Sequence, residues 1–260
     1  MNRKKRRHKI IKTVVAVGLL LCFMFPQYAR RLVYPHLIGQ PTKKNLQISA
    51  NDFFEDVTAA PLKYERGNRT YTLLPRTRYA VTGRVGIIDD YDTLWNKIYR
   101  GQFQGEYITL VPRDLMLIIG QMARPEIFKM FEFEHEERLG RVLCKGVKYR
   151  TSFMPSFMSA KKASENWHKY QECNQYIKNE EYNNYHPIPA NERINKALGM
   201  LVKGDVVHIE GILVDVPEMG LNTGTRKEQT HRNMAVNGMA PGMCFILYTT
   251  RVILNNRMYE

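Results

Sequence analysis

The stretch from residue 184 to 216 constrains the fold most, because its hydrophobic period changes within one segment. It opens with N-Y-H-P-I-P-A, whose prolines predict an elbow at His186. Asn191 predicts the N-cap of a helix, and Gly204 is expected to end it. The predicted helix has one apolar stripe, formed by Ile194, Ala197, Leu198 and Leu201.

A strand is predicted directly after this helix, because the hydrophobic period becomes two from Asp205 onward. His208 and Glu210 fall on one face of this strand. The opposite, apolar face is formed by Val207, Ile209, Gly211 and Leu213. The segment therefore predicts an α+β domain with an antiparallel sheet, open or barrel-like, and helices packed on it.

The N-terminal leader predicts a membrane anchor. Residues 3–9 read R-K-K-R-R-H-K, and residues 10–25 are mostly apolar, with Lys12 able to extend to the headgroups. No small-x-small cleavage site follows, which favours an uncleaved signal anchor over a cleaved signal peptide. The basic cluster should hold the N-terminus in the cytoplasm, so the rest of the chain would lie outside the cytoplasm, attached to the membrane by a single pass.

Four regions follow from this interpretation. They are a basic cytoplasmic tail at 1–9, a transmembrane signal anchor at 10–25, a membrane-proximal stalk at 26–50 and an extracytoplasmic α+β domain at 51–260.

The formal charge of +14 belongs mainly to the leader and stalk. Residues 1–51 contain eleven of the 39 Lys and Arg and no acidic residue. The remaining chain has 28 basic residues against all 25 acidic ones, a net charge of +3. A broad basic surface is therefore not expected on the domain, which argues against nucleic acid as a partner.

Other elements are predicted from shorter patterns. Helices are expected at 50–60, at 113–122, from Pro125 and at 159–177. Strands are expected at 71–74, 78–88, 107–111 and Cys244–Leu254, and a charged hairpin at 131–145 with its turn near Gly140. In the helix at 159–177, Trp167 and Tyr170 are expected to pack in the core, with stacking on bases or sugars as the alternative.

Few residues suggest chemistry. His186 is aimed by a stiff backbone, as a general base or metal ligand requires, and Asp114 or Cys244 could act with it. The favoured interpretation is structural: His186 hydrogen-bonds a carbonyl or Asp114 and fastens the elbow to the neighbouring helix. The triplet His135-Glu136-Glu137 does not make a metalloprotease site, because position 139 is leucine. No metal and no cofactor are expected.

The polar, Gly-rich connection at 217–243 is the first candidate for a binding loop, because connections of this length are usually functional or disordered. His231 and Arg232 within it are candidate binding residues, as is Asn184.

Three separated blocks resemble a family of small bacterial proteins that have one N-terminal membrane anchor and no assigned activity. The blocks are L-V-P-R-D-L with Gly120 and Met122, N-Y-H-P-I-P-A leading to G-D-V-V, and G-M-C-F-I-L-Y at 242–248. The resemblance covers residues 78–254 and implies an anchored extracytoplasmic domain, which in a bacterium means a single pass through the inner membrane and a periplasmic domain. It carries Asn184, His186, Asp114 and Cys244 over as motif positions, without roles.

Three functions remain open. The first is an anchored interaction or scaffold module that binds an envelope protein or a glycan. The second is an envelope hydrolase that uses His186 with Asp114 or Cys244. The third is an OB-like barrel that binds oligosaccharides or oligonucleotides, suggested by the strand G-D-V-V-H-I-E-G-I-L-V.

The domain contains three cysteines, an odd number in a compartment that permits disulfides. Cys244 is expected to be the free thiol, because it begins an apolar strand and belongs to a block of the resembled family that needs no partner cysteine. Cys144 and Cys173 are therefore predicted to pair.

Overall fold

The structure, a computed structural model, describes residues 39–42, 46–50, 52–91, 107–136, 139–147, 160–223 and 244–260. These residues form an α+β fold dominated by an antiparallel-rich sheet. The strands are β1 (Gln40–Pro41), β2 (Phe53–Asp56), β3 (Leu62–Arg66), β4 (Arg69–Asp90), β5 (Arg113–Ile118), β6 (Phe131–Glu136), β7 (Leu139–Cys144), β8 (Tyr182–Pro189), β9 (Val206–Asp215), β10 (Cys244–Leu254) and β11 (Arg257–Tyr259). The helices are α1 (Pro125–Phe128), α2 (Ala160–Asn174) and α3 (Glu192–Leu198), besides a helical turn at 107–110.

No helix among the described residues is long and apolar enough to span a membrane. The anchor predicted at 10–25 lies outside those residues. Part of the chain before residue 51 joins the sheet: β1 pairs with β11, and Ser49 bonds through its backbone to both Thr82 and Gly120.

Five strands pair with one another in a closed ring. β4 pairs with β5 and β9, β5 pairs with β8, β8 pairs with β10, and β10 pairs with β9. The β8–β10 pair is parallel and the other four pairs are antiparallel. The order around the ring is β4, β5, β8, β10 and β9. If these five strands are numbered along the chain, that order is first, second, third, fifth and fourth.

The long strand β4 makes closure possible because it changes partners along its length. Residues 74–84 pair with β9, and residues 84–90 pair with β5. Register shifts occur in both ladders, and such irregularities bend a strand and increase its twist. The two strands predicted at 71–74 and 78–88 are therefore parts of one 22-residue strand.

The helix predicted at 113–122 is wrong, because Arg113–Ile118 is strand β5. All six of its residues are buried. Leu115 and Leu117 face the interior of the ring, whereas Met116 and Ile118 pack into a second cluster outside it. A strand that is apolar on both faces has no period-two signal, so its sequence resembles a buried helix.

Two neighbouring predictions are also wrong. Residues 107–110 are helical rather than extended, with the Val111 N–H donated to the Tyr107 carbonyl at 2.8 Å. The segment predicted as a helix at 50–60 contains strand β2, which pairs with β4 through partners such as Phe54 and Tyr79. Both elements depend on distant partners, which a local pattern does not report.

The elbow predicted at His186 is wrong, because residues 182–189 form the extended strand β8. Its prolines are tolerated for a geometric reason. Ala190 donates its N–H to the Thr249 carbonyl in β10. Because the backbone nitrogens of successive residues in a strand point to opposite sides, the nitrogens of Pro187 and Pro189 point away from β10. The ladder with β5 ends at Tyr185, so no hydrogen bond of that ladder is lost there.

Helix α3 confirms the predicted N-cap but not the predicted end. The Asn191 side chain accepts the Ile194 N–H at 3.0 Å, and the helix stops at Leu198, with Gly199 as its C-cap. Gly204 instead forms the turn into β9 at a φ of +91°, a conformation that favours glycine. The predicted stripe is confirmed: Ile194, Ala197, Leu198 and Leu201 are all buried.

The predicted strands β9 and β10 are confirmed, and the apolar face predicted for β9 lies in the ring interior. Helix α3 packs against the same core, since its stripe belongs to the cluster that includes Val85, Leu117 and Val252. Arg113 strengthens this junction. Its Nη1 donates to Asn195 Oδ1 in α3 at 2.5 Å, and its Nε lies 3.3 Å from Asp90 Oδ1.

The connection between β5 and β8 covers the outside of the ring; we call its described part, 119–136, 139–147 and 160–181, the covering insertion. Its hairpin β6–β7 is confirmed, although Gly140 lies within β7 rather than at the turn. A disulfide joins Cys144 to Cys173 with a Cα–Cα distance of 5.8 Å, which confirms the predicted pairing. It ties α2 to the hairpin.

The core role predicted for Trp167 is wrong, because its side chain is 57% exposed. Tyr170 is half-buried and packs against the cluster beneath the covering insertion. The helix predicted at 159–177 is otherwise present as α2.

Leu198→Ala tests the predicted core. Leu198 is 1% exposed within the ring interior, so we expect the change to lower the free energy of unfolding by ~2–5 kcal/mol. The exposed neighbour Arg193 provides the control. Arg193→Ala should change the free energy of unfolding by less than about 0.5 kcal/mol. Urea unfolding followed by circular dichroism measures both, and equal effects would contradict the assigned core.

Thiol mapping tests the disulfide. In denatured, unreduced protein, an alkylating reagent should label Cys244 and leave Cys144 and Cys173 unlabelled. Prior reduction should expose both and lower stability by ~3–4 kcal/mol, given the sequence separation of 29 residues. Labelling of Cys144 and Cys173 without reductant would refute the bridge.

Candidate functional site

The outer face of β8 has a polar band between two apolar clusters. Tyr182 packs into the cluster beneath the covering insertion, and Ile188 packs into another cluster with Tyr64 and Val214. Asn184 and His186 lie between them and are both buried. This band extends to neighbouring strands; we call Asp89, Tyr91, Asp114, His135, Asn184 and His186 the outer polar cluster.

The first part of this cluster is centred on Asp114, whose side chain is fully buried. His186 Nδ1 lies 2.6 Å from Asp114 Oδ1, and the Tyr91 hydroxyl donates to Asp114 Oδ2 at 2.8 Å. The ring of Tyr107 meets the His186 imidazole edge to face, with 5.9 Å between centroids. Asp114 therefore holds the imidazole in one orientation, with Nδ1 as donor.

The second part is centred on His135, from the hairpin. Its Nδ1 lies 3.2 Å from Asp89 Oδ2, and its Nε2 lies 3.0 Å from Asn184 Oδ1. The His135 side chain is 3% exposed, and Asp89 is 32% exposed. His135 therefore joins the hairpin to both β4 and β8.

The two parts are adjacent because Asp89 and Asp114 are direct cross-strand partners in the β4–β5 ladder. Two carboxylates at such positions repel each other. Each carboxylate contacts a histidine from another element: Asp89 contacts His135, and Asp114 contacts His186. These contacts offset the repulsion between the two carboxylates. The cluster thus contains two adjacent Asp–His pairs.

The structure brings three of the predicted site residues together: His186 and Asp114 are bonded, and Asn184 is in the same cluster. Asp114 lies in a strand, so the pair does not fasten His186 to a helix as expected. Cys244 is the backbone partner of Asn184 in the β8–β10 ladder, but its side chain lies outside the described residues. His231 and Arg232 also lie outside them.

The Asp114–His186 geometry matches a base held by an orienting carboxylate, the arrangement that activates a nucleophile in covalent catalysis. However, Asp114 is fully buried and His186 is 5% exposed. The same geometry also suits a structural joint between β5 and β8. Among the described residues, no group of three or more His, Cys, Asp or Glu could hold a metal ion.

A separate polar group lies inside the ring. The Tyr79 hydroxyl is 2.5 Å from that of Tyr185 and donates to Asp52 Oδ2 at 2.6 Å, and Asn183 also donates to Asp52. Burial raises the pKa of Tyr79 well above its usual value, and the nearby Tyr185 and Asp52 raise it further. Asp52 thereby fixes the segment before β2 to the ring.

Sequence reasoning missed Asp89, Tyr91 and His135 as members of the outer polar cluster, and it missed the contact of Tyr107 with His186. Asp89 and Tyr91 follow a buried apolar run, and acidic residues at such a strand end are a usable signal. No local pattern reveals that His135 reaches β8, since the contact joins residues 49 positions apart.

Comparison with protein-family models, curated proteins and solved structures found no match. The resemblance to a family of anchored bacterial proteins therefore stays a prediction.

Asp114→Asn tests whether the outer polar cluster is a structural joint. The change removes a buried charge that two groups contact, so we expect the free energy of unfolding to fall by ~1.5–3 kcal/mol. Glu134→Gln is the control, because it removes an exposed charge from β6. It should lower the free energy of unfolding by less than about 0.5 kcal/mol. Urea unfolding measures both.

An unchanged or increased stability of Asp114→Asn would contradict the structural role. Such a result would instead indicate that Asp114 lowers the stability of the fold in order to serve a functional site.

Proposed function

We propose that this chain is a binding module of the bacterial envelope, anchored in the inner membrane with its domain in the periplasm. The observation that carries the proposal is the burial of the Asp114–His186 pair, the residues that most suggested chemistry, within bonds to their own fold. A partner is therefore expected to bind elsewhere on the domain.

The strand ring supports a binding role. Its order of first, second, third, fifth and fourth strands is that of the OB fold, and we assign the ring as a barrel of that type. Such barrels bind oligosaccharides or oligonucleotides. The near-balanced charge after residue 51 favours a neutral ligand or a protein over nucleic acid.

The Cys144–Cys173 disulfide supports the periplasmic location, because disulfides persist in oxidising compartments and are rare in the cytosol. The basic N-terminus followed by an apolar run supports the anchor.

A hydrolase centred on His186 is the second candidate, favoured by the 2.6 Å contact with Asp114. It requires substrate to reach an imidazole that is 5% exposed. The Asp114→Asn measurement separates the two candidates, because a structural joint loses stability and a strained catalytic site does not.

A reporter fusion tests the topology. An enzyme that is active only outside the cytoplasm, fused after Glu260, should be active and remain in the membrane fraction after carbonate washing. The same fusion lacking residues 1–38 should be inactive. Activity in a shortened, soluble form would refute the retained anchor, and an inactive full-length fusion would refute the periplasmic location.

A further inference from the structure

The usual ligand face of an OB-type barrel is covered in this protein. That face is formed by the second and third strands, here β5 and β8. Met116 and Ile118 on the outside of β5 are fully buried against residues of the covering insertion, including Phe131 and Cys173. A ligand that approaches this side therefore meets the covering insertion first.

Helix α2 is the part of the covering insertion that exposes a large aromatic side chain. Trp167 and Phe53, in β2, are the exposed large hydrophobic residues of the described chain. The Trp167 ring lies 5.7 Å from that of Tyr170 at an interplanar angle of 31°. Because Cys173 ties the helix to the hairpin, the two rings are held on a fixed support.

On helix α2, the described positions that share a side with Trp167 carry no charge. Positions three or four residues away lie on the same side of a helix, and those with described side chains are Ser164, Tyr170 and Gln171. Asn174, two turns further on, is also exposed. The charged residues of α2 with described side chains, and its histidine, lie at least about 100° around the helix axis from Trp167. They are Glu165, His168, Lys169 and Glu172.

We propose that Trp167, with Tyr170, Gln171 and Asn174, forms a binding strip for a neutral polysaccharide. An aromatic ring offers an apolar face to the C–H face of a sugar ring. The amides of Gln171 and Asn174 can donate to and accept from sugar hydroxyl and acetamido groups. The proposal rests on the proposed function, since it names the ligand class of the anchored module.

The charge distribution selects this ligand over polyanions. Nucleic acids and anionic lipid headgroups are bound through Lys and Arg, and the strip contains neither. A neutral, hydroxyl-rich chain needs flat apolar contact and uncharged hydrogen-bonding groups. The strip supplies both on one helix face.

The test uses full-length protein in detergent and chitin, an insoluble neutral polymer, as the probe. Sedimentation with increasing chitin gives an association constant for each variant. We expect the unmodified protein to bind and Trp167→Ala to lower the constant roughly tenfold or more, as for a central aromatic contact. Trp167→Tyr, which keeps a ring, should restore most of the binding.

Two matched variants control for other causes. Phe53→Ala removes the other exposed large hydrophobic residue, and Lys169→Gln removes a charge from the opposite side of α2. Both should bind chitin as the unmodified protein does. A circular dichroism spectrum and a urea-unfolding midpoint that match those of the unmodified protein show that Trp167→Ala keeps its fold.

The proposal would be overturned if the unmodified protein did not bind chitin or if Trp167→Ala bound it equally well. An equal loss of binding in Phe53→Ala would also overturn it, because it would indicate nonspecific adsorption. Loss in Lys169→Gln together with preference for an anionic matrix would also overturn it, in favour of a polyanion. The reporter fusion is independent of all these results, so failure of the sugar strip is distinguishable from failure of the anchored module.

Discussion

Closure of the strand ring is the constraint on which the rest of the structure depends. β4 pairs with β9 over one part of its length and with β5 over another, and the parallel β8–β10 pair completes the circuit. Closure satisfies the backbone groups of strands that would otherwise be edges. It also creates one interior, into which the stripe of α3 and the aromatic rings of Tyr79, Tyr185 and Phe245 pack.

The outside of the ring is covered by segments that pack on two separate parts of it. The hairpin of β3 with β4 and the turn at 107–110 cover one part, and the covering insertion covers the other. The outer polar cluster lies between these apolar regions, where its Asp–His pairs join β4, β5, β8 and the hairpin. Burial makes such a network costly to leave incomplete, so it specifies how the layers fit together.

Local patterns predicted some of the fold and one part of the site. The Asn191 cap, the stripe around Leu198 and strands β9 and β10 were predictable, because each has a period or a cap. The Asp114–His186 bond was one of two predicted alternatives, the other being a bond from His186 to a carbonyl, and the structure selects Asp114. Strand β5 was not predictable, because a strand buried on both faces lacks the alternation of apolar and polar residues that distinguishes a strand. The Asp89–His135 pair was not, because its partners come from elements separated along the chain.

The sequence by itself determined the basic leader, the charge balance of the domain, the three cysteines of the domain and the places where the hydrophobic period changes. These are properties of composition and near neighbours. Only the tertiary structure decided that the strands close into a ring, that His186 lies in a strand instead of an elbow, and that Trp167 faces outward. Each of these depends on which distant segments pack together, and pairing free energies between distant segments are not encoded in any local window.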